Sequence, residues 1–83
     1  MSGQKKNMKP QTRAVLNYMH KYGSITAAEA FNILGVGVLH ARISELRHDH
    51  DFHVITDREP NRNGNGWHAV YKLSSVDYER LEG

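Results

Sequence analysis

Ser24-Ile25-Thr26-Ala27-Ala28-Glu29-Ala30-Phe31-Asn32-Ile33-Leu34-Gly35-Val36-Gly37-Val38-Leu39-His40-Ala41-Arg42-Ile43-Ser44-Glu45-Leu46-Arg47 is the stretch whose reading decides the fold. Thr26 and Glu29 stand three apart before an apolar run, the spacing of a capping box in which each side chain satisfies the other residue's orphan backbone N–H. Ile25, just ahead of the cap, can pack on Ala30 as a hydrophobic staple. The helix this predicts is about nine residues long, buries Ala27, Ala30, Phe31 and Leu34, and ends at Gly35. After Gly35-Val36-Gly37, apolar residues return at Leu39, Ile43 and Leu46, the i, i+4, i+7 pattern of a further helix reaching about His48. A short capped helix, a tight glycine-containing turn and a second amphipathic helix describe a helix-turn-helix.

Upstream, Pro10 suits a helix start, and Val15, Leu16, Met19 and Tyr22 form an apolar stripe that Gly23 terminates. Downstream of Asp51 the period drops toward two. Phe52, Val54 and Thr56 alternate with polar residues, and so, further on, do Trp67, Ala69, Tyr71 and Leu73. Arg58-Glu59-Pro60-Asn61-Arg62-Asn63-Gly64-Asn65-Gly66 lies between the two runs, and its Pro and two Asn-Gly pairs predict the long tip of a β-hairpin. Phe52, Trp67 and Tyr71 are expected in the core. Ser74 and Ser75 offer a cap for a brief helix from Val76 to Leu81. The expected organisation is a flexible basic arm over 1–9, one domain over 10–73, and a short acidic tail with helical potential over 74–83.

The composition sets limits. The chain has 83 residues, 39% of them hydrophobic, so it buries only roughly 60% of the surface its unfolded form exposes. That size excludes an enzyme with its active site between two domains. The absence of cysteine excludes disulfides, a thiol nucleophile and thiolate-bound zinc. No run approaches the ~20 apolar residues of a membrane span and the N-terminus has no apolar signal region, so an intracellular, cytoplasmic protein is expected. Lys and Arg number 11 against 9 Asp and Glu, but the charge is unevenly placed: residues 1–13 hold four bases and no acid. An uncompensated basic arm suits a polyanion.

Three helices followed by a hairpin is the order of a winged helix, an α+β fold. Gly23-Ser24-Ile25-Thr26, Glu29-Ala30, Leu34-Gly35 and Leu39-x-Ala41-Arg42-Ile43-x-Glu45-Leu46-Arg47 resemble the small winged helix-turn-helix DNA-binding domains encoded by bacteriophages and prophages. The resemblance spans about Thr12 to Leu73 and is strongest over Arg42–Arg47; Gly37 and Val38 depart from it, standing where polar turn residues are expected. It implies a protein that binds double-stranded DNA and regulates transcription, without cofactor or metal.

Helical geometry puts Gly37, Ala41, Ser44 and His48 opposite the Leu39/Ile43/Leu46 stripe, with His40 and Arg47 on one flank and Val38, Arg42 and Glu45 on the other. His40, Ser44, Arg47 and His48 are therefore the candidate DNA contacts of the recognition helix. Arg42 has two open readings, a phosphate contact or an ion pair with Glu29. Arg58 and Arg62 on the hairpin suit a narrow, electronegative minor groove or flanking phosphates. Lys5, Lys6, Lys9 and Arg13 would add phosphate contacts from the arm, making affinity strongly salt-dependent.

Two other classes compete. His48-Asp49-His50-Asp51-Phe52-His53 contains metal-ligand types, but neither an i, i+4 helical pair nor a partner cluster completes a site. No paired carboxylates or nucleophile–base set can be assembled, so a non-enzyme is expected. A protein-docking module, acting on a host protein, and a DNA-architectural or recombination accessory factor are the alternatives to a transcriptional regulator. Small residues on the recognition helix and Val36 and Val38 would suit docking, while Tyr18 and Tyr22 would suit a homodimer.

Overall fold

The computed structural model describes residues 8–82. The chain runs α1 (Pro10–Tyr22), β1 (Ile25–Thr26), α2 (Ala27–Leu34), α3 (Leu39–Asp49), β2 (Val54–Pro60), β3 (Trp67–Leu73) and α4 (Ser75–Glu82). The expected α+β arrangement of three helices and a hairpin is the one observed, with the two-residue β1 added, and the brief C-terminal helix expected over Val76–Leu81 forms as α4. β3 is central in an antiparallel sheet of order β1-β3-β2.

Local chemistry explains the first two helices. Pro10 opens α1, where its missing N–H would have had no partner anyway. The capping box forms as expected: the Glu29 N–H donates to Thr26 Oγ1 at 3.2 Å, and the Thr26 N–H donates to Glu29 Oε1 at 2.9 Å. Gly35 ends α2 at φ +71°, a left-handed conformation that disfavours a Cβ, and its N–H reaches the Phe31 carbonyl at 3.2 Å. The following Val36 N–H bonds to the Ala30 carbonyl at 2.9 Å, which turns the Val36 side chain into the core.

The core gathers Val15, Leu16 and Met19 from α1, Ile25, Ala30, Val36, then Leu39, Ile43 and Leu46 from α3, and Phe52, Val54 and Leu73 from the base of the hairpin. Each fully buried Leu, Ile or Val contributes about 1.5–3 kcal/mol. The α3 stripe alone therefore anchors that helix strongly, although its first turn has no side-chain cap. Four burial expectations are corrected. Tyr22, the last residue of α1, is 61% exposed and lies against Tyr18, ring centroids 4.6 Å apart. Phe31 is 64% exposed and Ala27 is also exposed; α2 has only eight residues, and Val36, just past its end, is buried in the core. Val36 is accordingly not available to a partner. Trp67 is 64% exposed because it sits at the hairpin tip, and Val70, out of phase with the expected stripe, is buried instead.

α4 is tied to the domain by Asp77, a carboxylate within the expected acidic tail. Asp77 is 1% exposed. Its N–H donates to Ser74 Oγ at 3.3 Å, its Oδ2 accepts from the His53 N–H, and Arg80 Nη1 lies 3.3 Å from its Oδ1. The Tyr78 hydroxyl donates to the His20 carbonyl, joining α4 to α1.

Candidate nucleic-acid interface

α3 is amphipathic as its sequence predicts. Leu39, Ile43 and Leu46 are buried, whereas His40, Ser44 and His48, four residues apart along the helix, are exposed together with Arg47. Ala41 is half-buried. The exposed stripe thus carries two imidazoles and one hydroxyl, small polar groups that allow close approach to a groove.

Arg42 does not pair with Glu29. Glu29 is engaged by its capping box and neighbours Tyr18, whose phenol is pushed above its ordinary range by burial and then by the Glu29 carboxylate. Arg42 instead joins α3 to α1: Nη1 donates to Gln11 Oε1 at 2.9 Å and Nη2 to Glu45 Oε2 at 3.1 Å. Glu45 is the hub of this join. It also accepts from Thr12 Oγ1 at 2.5 Å and from Lys9 Nζ at 3.2 Å. The Thr12 bond, followed by Lys9 and Arg42, holds the Glu45 carboxyl below the usual range despite partial burial. One arm candidate, Lys9, is therefore engaged inside the protein. Arg13 lines a groove with Asp49, Asp51 and Arg80, at the far end of α3 from His40. Lys5 and Lys6 lie outside the described residues.

Arg47 leaves α3 toward the hairpin. Its Nε and Nη2 both donate to the Val54 carbonyl, at 3.2 and 2.7 Å, and Nη2 also donates to Thr56 Oγ1 at 2.8 Å. One guanidinium thus clamps α3 to β2, the first strand of the hairpin. Its planar fork suits it to hold two acceptors at once.

The register of the hairpin sorts its side chains onto two faces. Val54 pairs with Leu73, Thr56 with Tyr71, Arg58 with Ala69 and Pro60 with Trp67, and these eight residues share one face. Its base, Val54 and Leu73, packs in the core beside α3, and Thr56 meets Arg47. Farther out, Ala69 and Tyr71 line a groove of about 570 Å³ with Val38, Leu39 and His40 at the start of α3, and Asn61 and His68 border the same groove. Arg58 is the one charged side chain on this α3-facing side of the two strands. The opposite face holds Asp57 and Glu59, with Lys72 Nζ 3.6 Å from Asp57 and the His68 ring 3.9 Å from Glu59. Both strand carboxylates therefore lie on the face opposite Arg58, each beside a basic side chain.

At the tip, the Asn61 N–H donates to the Gly66 carbonyl at 3.1 Å, and Asn61 Oδ1 contacts His68 Nδ1 at 2.8 Å. This internal bonding fixes the loop that carries exposed Arg62. The guanidinium groups of Arg58 and Arg62 have no partner among the described residues. Sequence reasoning missed the Glu45 hub, the clamp made by Arg47, and β1. For β1 the alternation is too short to see, because its two residues pair only with β3, at Ile25–Tyr71 and Thr26–Val70.

Among the described residues no group of three or more His, Asp or Glu is placed to hold a metal ion, and no helix is long and apolar enough to cross a membrane. No curated protein and no solved structure matches the chain. Residues 10–75 match the profile of the winged helix-turn-helix domain, which spans α1 through the wing to the start of α4. The protein belongs to the winged helix-turn-helix domain family.

Proposed function

We propose that this protein binds double-stranded DNA as a non-enzymatic transcriptional regulator, of the kind encoded by phages and prophages and acting in the bacterial cytoplasm. His40, Ser44 and His48 of α3 face the major groove, and Arg58 and Arg62 of the wing contact the adjacent minor groove or phosphates. Lys5, Lys6 and Arg13 add backbone attraction. Lys9 does so only where it leaves Glu45. The phage setting rests on the resemblance of residues 42–47. Arg47 acts mainly by holding the wing against α3.

The observation that carries this reading is the sorting of charge on the hairpin. Arg58 shares the sheet face that meets α3, beside the groove lined by His40, while Asp57 and Glu59 point the other way. A polyanion approaching the exposed stripe of α3 meets a cation and no strand carboxylate on that side. Family membership supports the same partner. The test is titration of labelled duplex DNA at low and moderate salt. The reading predicts binding that weakens steeply as salt rises, and absence of binding at low salt contradicts it.

A second reading has one observation in its favour. Tyr18, Tyr22, Ile33 and Leu34 line a shallow groove on the α1–α2 side, with Tyr22 and Ile33 exposed. Such a patch suits a second copy of the chain, which would present two recognition helices to two half-sites, or a host protein. Sedimentation at micromolar concentration separates these: a dimer that Tyr22→Ala dissolves supports the first.

A further inference from the structure

We propose that Trp67, with Pro60 opposite it, is an apolar wedge that unstacks a base-pair step when the wing engages duplex DNA, so that binding kinks the duplex. The proposal deepens the DNA-binding reading and rests on it. Trp67 and Pro60 are the last rung of the β2–β3 ladder, directly opposite one another and on the same face as Arg58. Trp67 is 64% exposed, and Pro60 is exposed as well. Two apolar rings on the last rung of a ribbon give it a blunt apolar end. Nothing from the core covers it, since the nearest rung inward on that face is Arg58 with the small Ala69.

The charge around this edge identifies the occupant. Arg58 lies one rung inward and Arg62 two residues beyond Pro60, both guanidinium groups without partners among the described residues; Asp57 and Glu59 alternate onto the opposite face, although Glu59 borders a groove with Pro60 and Arg62 on the side toward α2. Apolar rings bracketed by free guanidinium groups match a surface that is aromatic within and anionic at its rim, which is the cross-section of a base-pair step between two phosphate backbones. Apolar side chains inserted from the minor groove kink DNA by unstacking such steps, and TA and CA steps open most easily. The ribbon is held firmly enough to transmit this contact. Arg47 clamps its base to α3, and Asn61 braces the tip through Gly66 and His68.

Trp67 is the only tryptophan in the chain, so its emission reports on this residue alone. The experiment uses the full chain and a mixed-sequence duplex about three helical turns long, with central TA steps and a donor–acceptor dye pair on its ends, at low salt. Anisotropy of the duplex reports binding separately. The proposal predicts quenched indole emission on binding, closer dye ends, and brightening of 2-aminopurine placed at a TA step. Trp67→Ala should bind about tenfold more weakly and leave the duplex straight, and Trp67→Phe should restore most of the bend. A melting curve confirms that each variant is folded. Binding by anisotropy with unchanged indole emission and unchanged dye distance overturns the wedge while leaving DNA binding intact. Equal quenching by heparin, or quenching by single strands with an unbent duplex, also overturns it. Absence of any anisotropy change at low salt overturns the DNA-binding reading, and the wedge with it.

Discussion

Replacing Arg47 with alanine removes three hydrogen bonds at once, two to the Val54 carbonyl and one to Thr56 Oγ1. Bonds from a charged donor contribute about 1.5–3 kcal/mol when well shielded, and less where water competes. Arg47 is exposed and two of its bonds share one acceptor, so the expected loss is about 1.5 kcal/mol. For a chain of this size that lowers the melting temperature by about 6–12 °C. Thermal denaturation followed by circular dichroism measures it, and hydrogen exchange at Val54 and Thr56 locates it at the base of the wing. Arg47→Lys sharpens the test, because lysine keeps the charge but lacks the fork that reaches two acceptors. If Arg47 acts by positioning the wing, the lysine variant loses most of the stability and duplex affinity that alanine loses. A lysine variant with wild-type affinity would make Arg47 a phosphate contact instead. An alanine variant melting within a degree or two of wild type would refute the clamp.

Gly35→Ala should destabilise by about 1–2 kcal/mol. The cost is that of holding an L-residue at φ +71°, since an added Cβ meets nothing within 4 Å. A urea midpoint equal to wild type would show that the turn relaxes at no cost. Acid should weaken the α1–α3 join. The carboxyl of Glu45 is held below its unfolded value by Thr12, Lys9 and Arg42, so its contribution is fully present above the ordinary glutamate pKa of about 4.3 and is lost as pH falls through the lower folded value. Glu45→Gln should therefore flatten part of the fall in urea midpoint between neutral and strongly acid pH, and parallel curves for the two proteins would contradict this.

The fold was legible where local chemistry and periodicity agreed. The Thr26–Glu29 box, the glycine stops and the Leu39/Ile43/Leu46 spacing each determine a backbone feature from residues close in sequence. Burial at the margins was not legible. Phe31 and Trp67 are apolar and in phase with their stripes, yet Phe31 lies exposed on the eight-residue α2 and Trp67 at the tip end of the hairpin. The exposure of the α3 stripe and of the wing arginines was legible from position alone. Which cations are free was hidden, because Lys9, Arg42 and Arg47 find acceptors 36, 31 and 7 residues away. Only the folded register separates Arg58 from Asp57 and Glu59, which adjoin it in sequence.

The most direct test of a shared α3–wing surface is the salt dependence of duplex affinity for wild type and the Arg58→Ala/Arg62→Ala double variant. If both guanidinium groups meet the duplex alongside α3, the slope of log affinity against log salt falls by about 1.8 in magnitude, 0.9 for each phosphate no longer neutralised. Equal slopes and equal affinities for the two proteins would place the wing away from DNA.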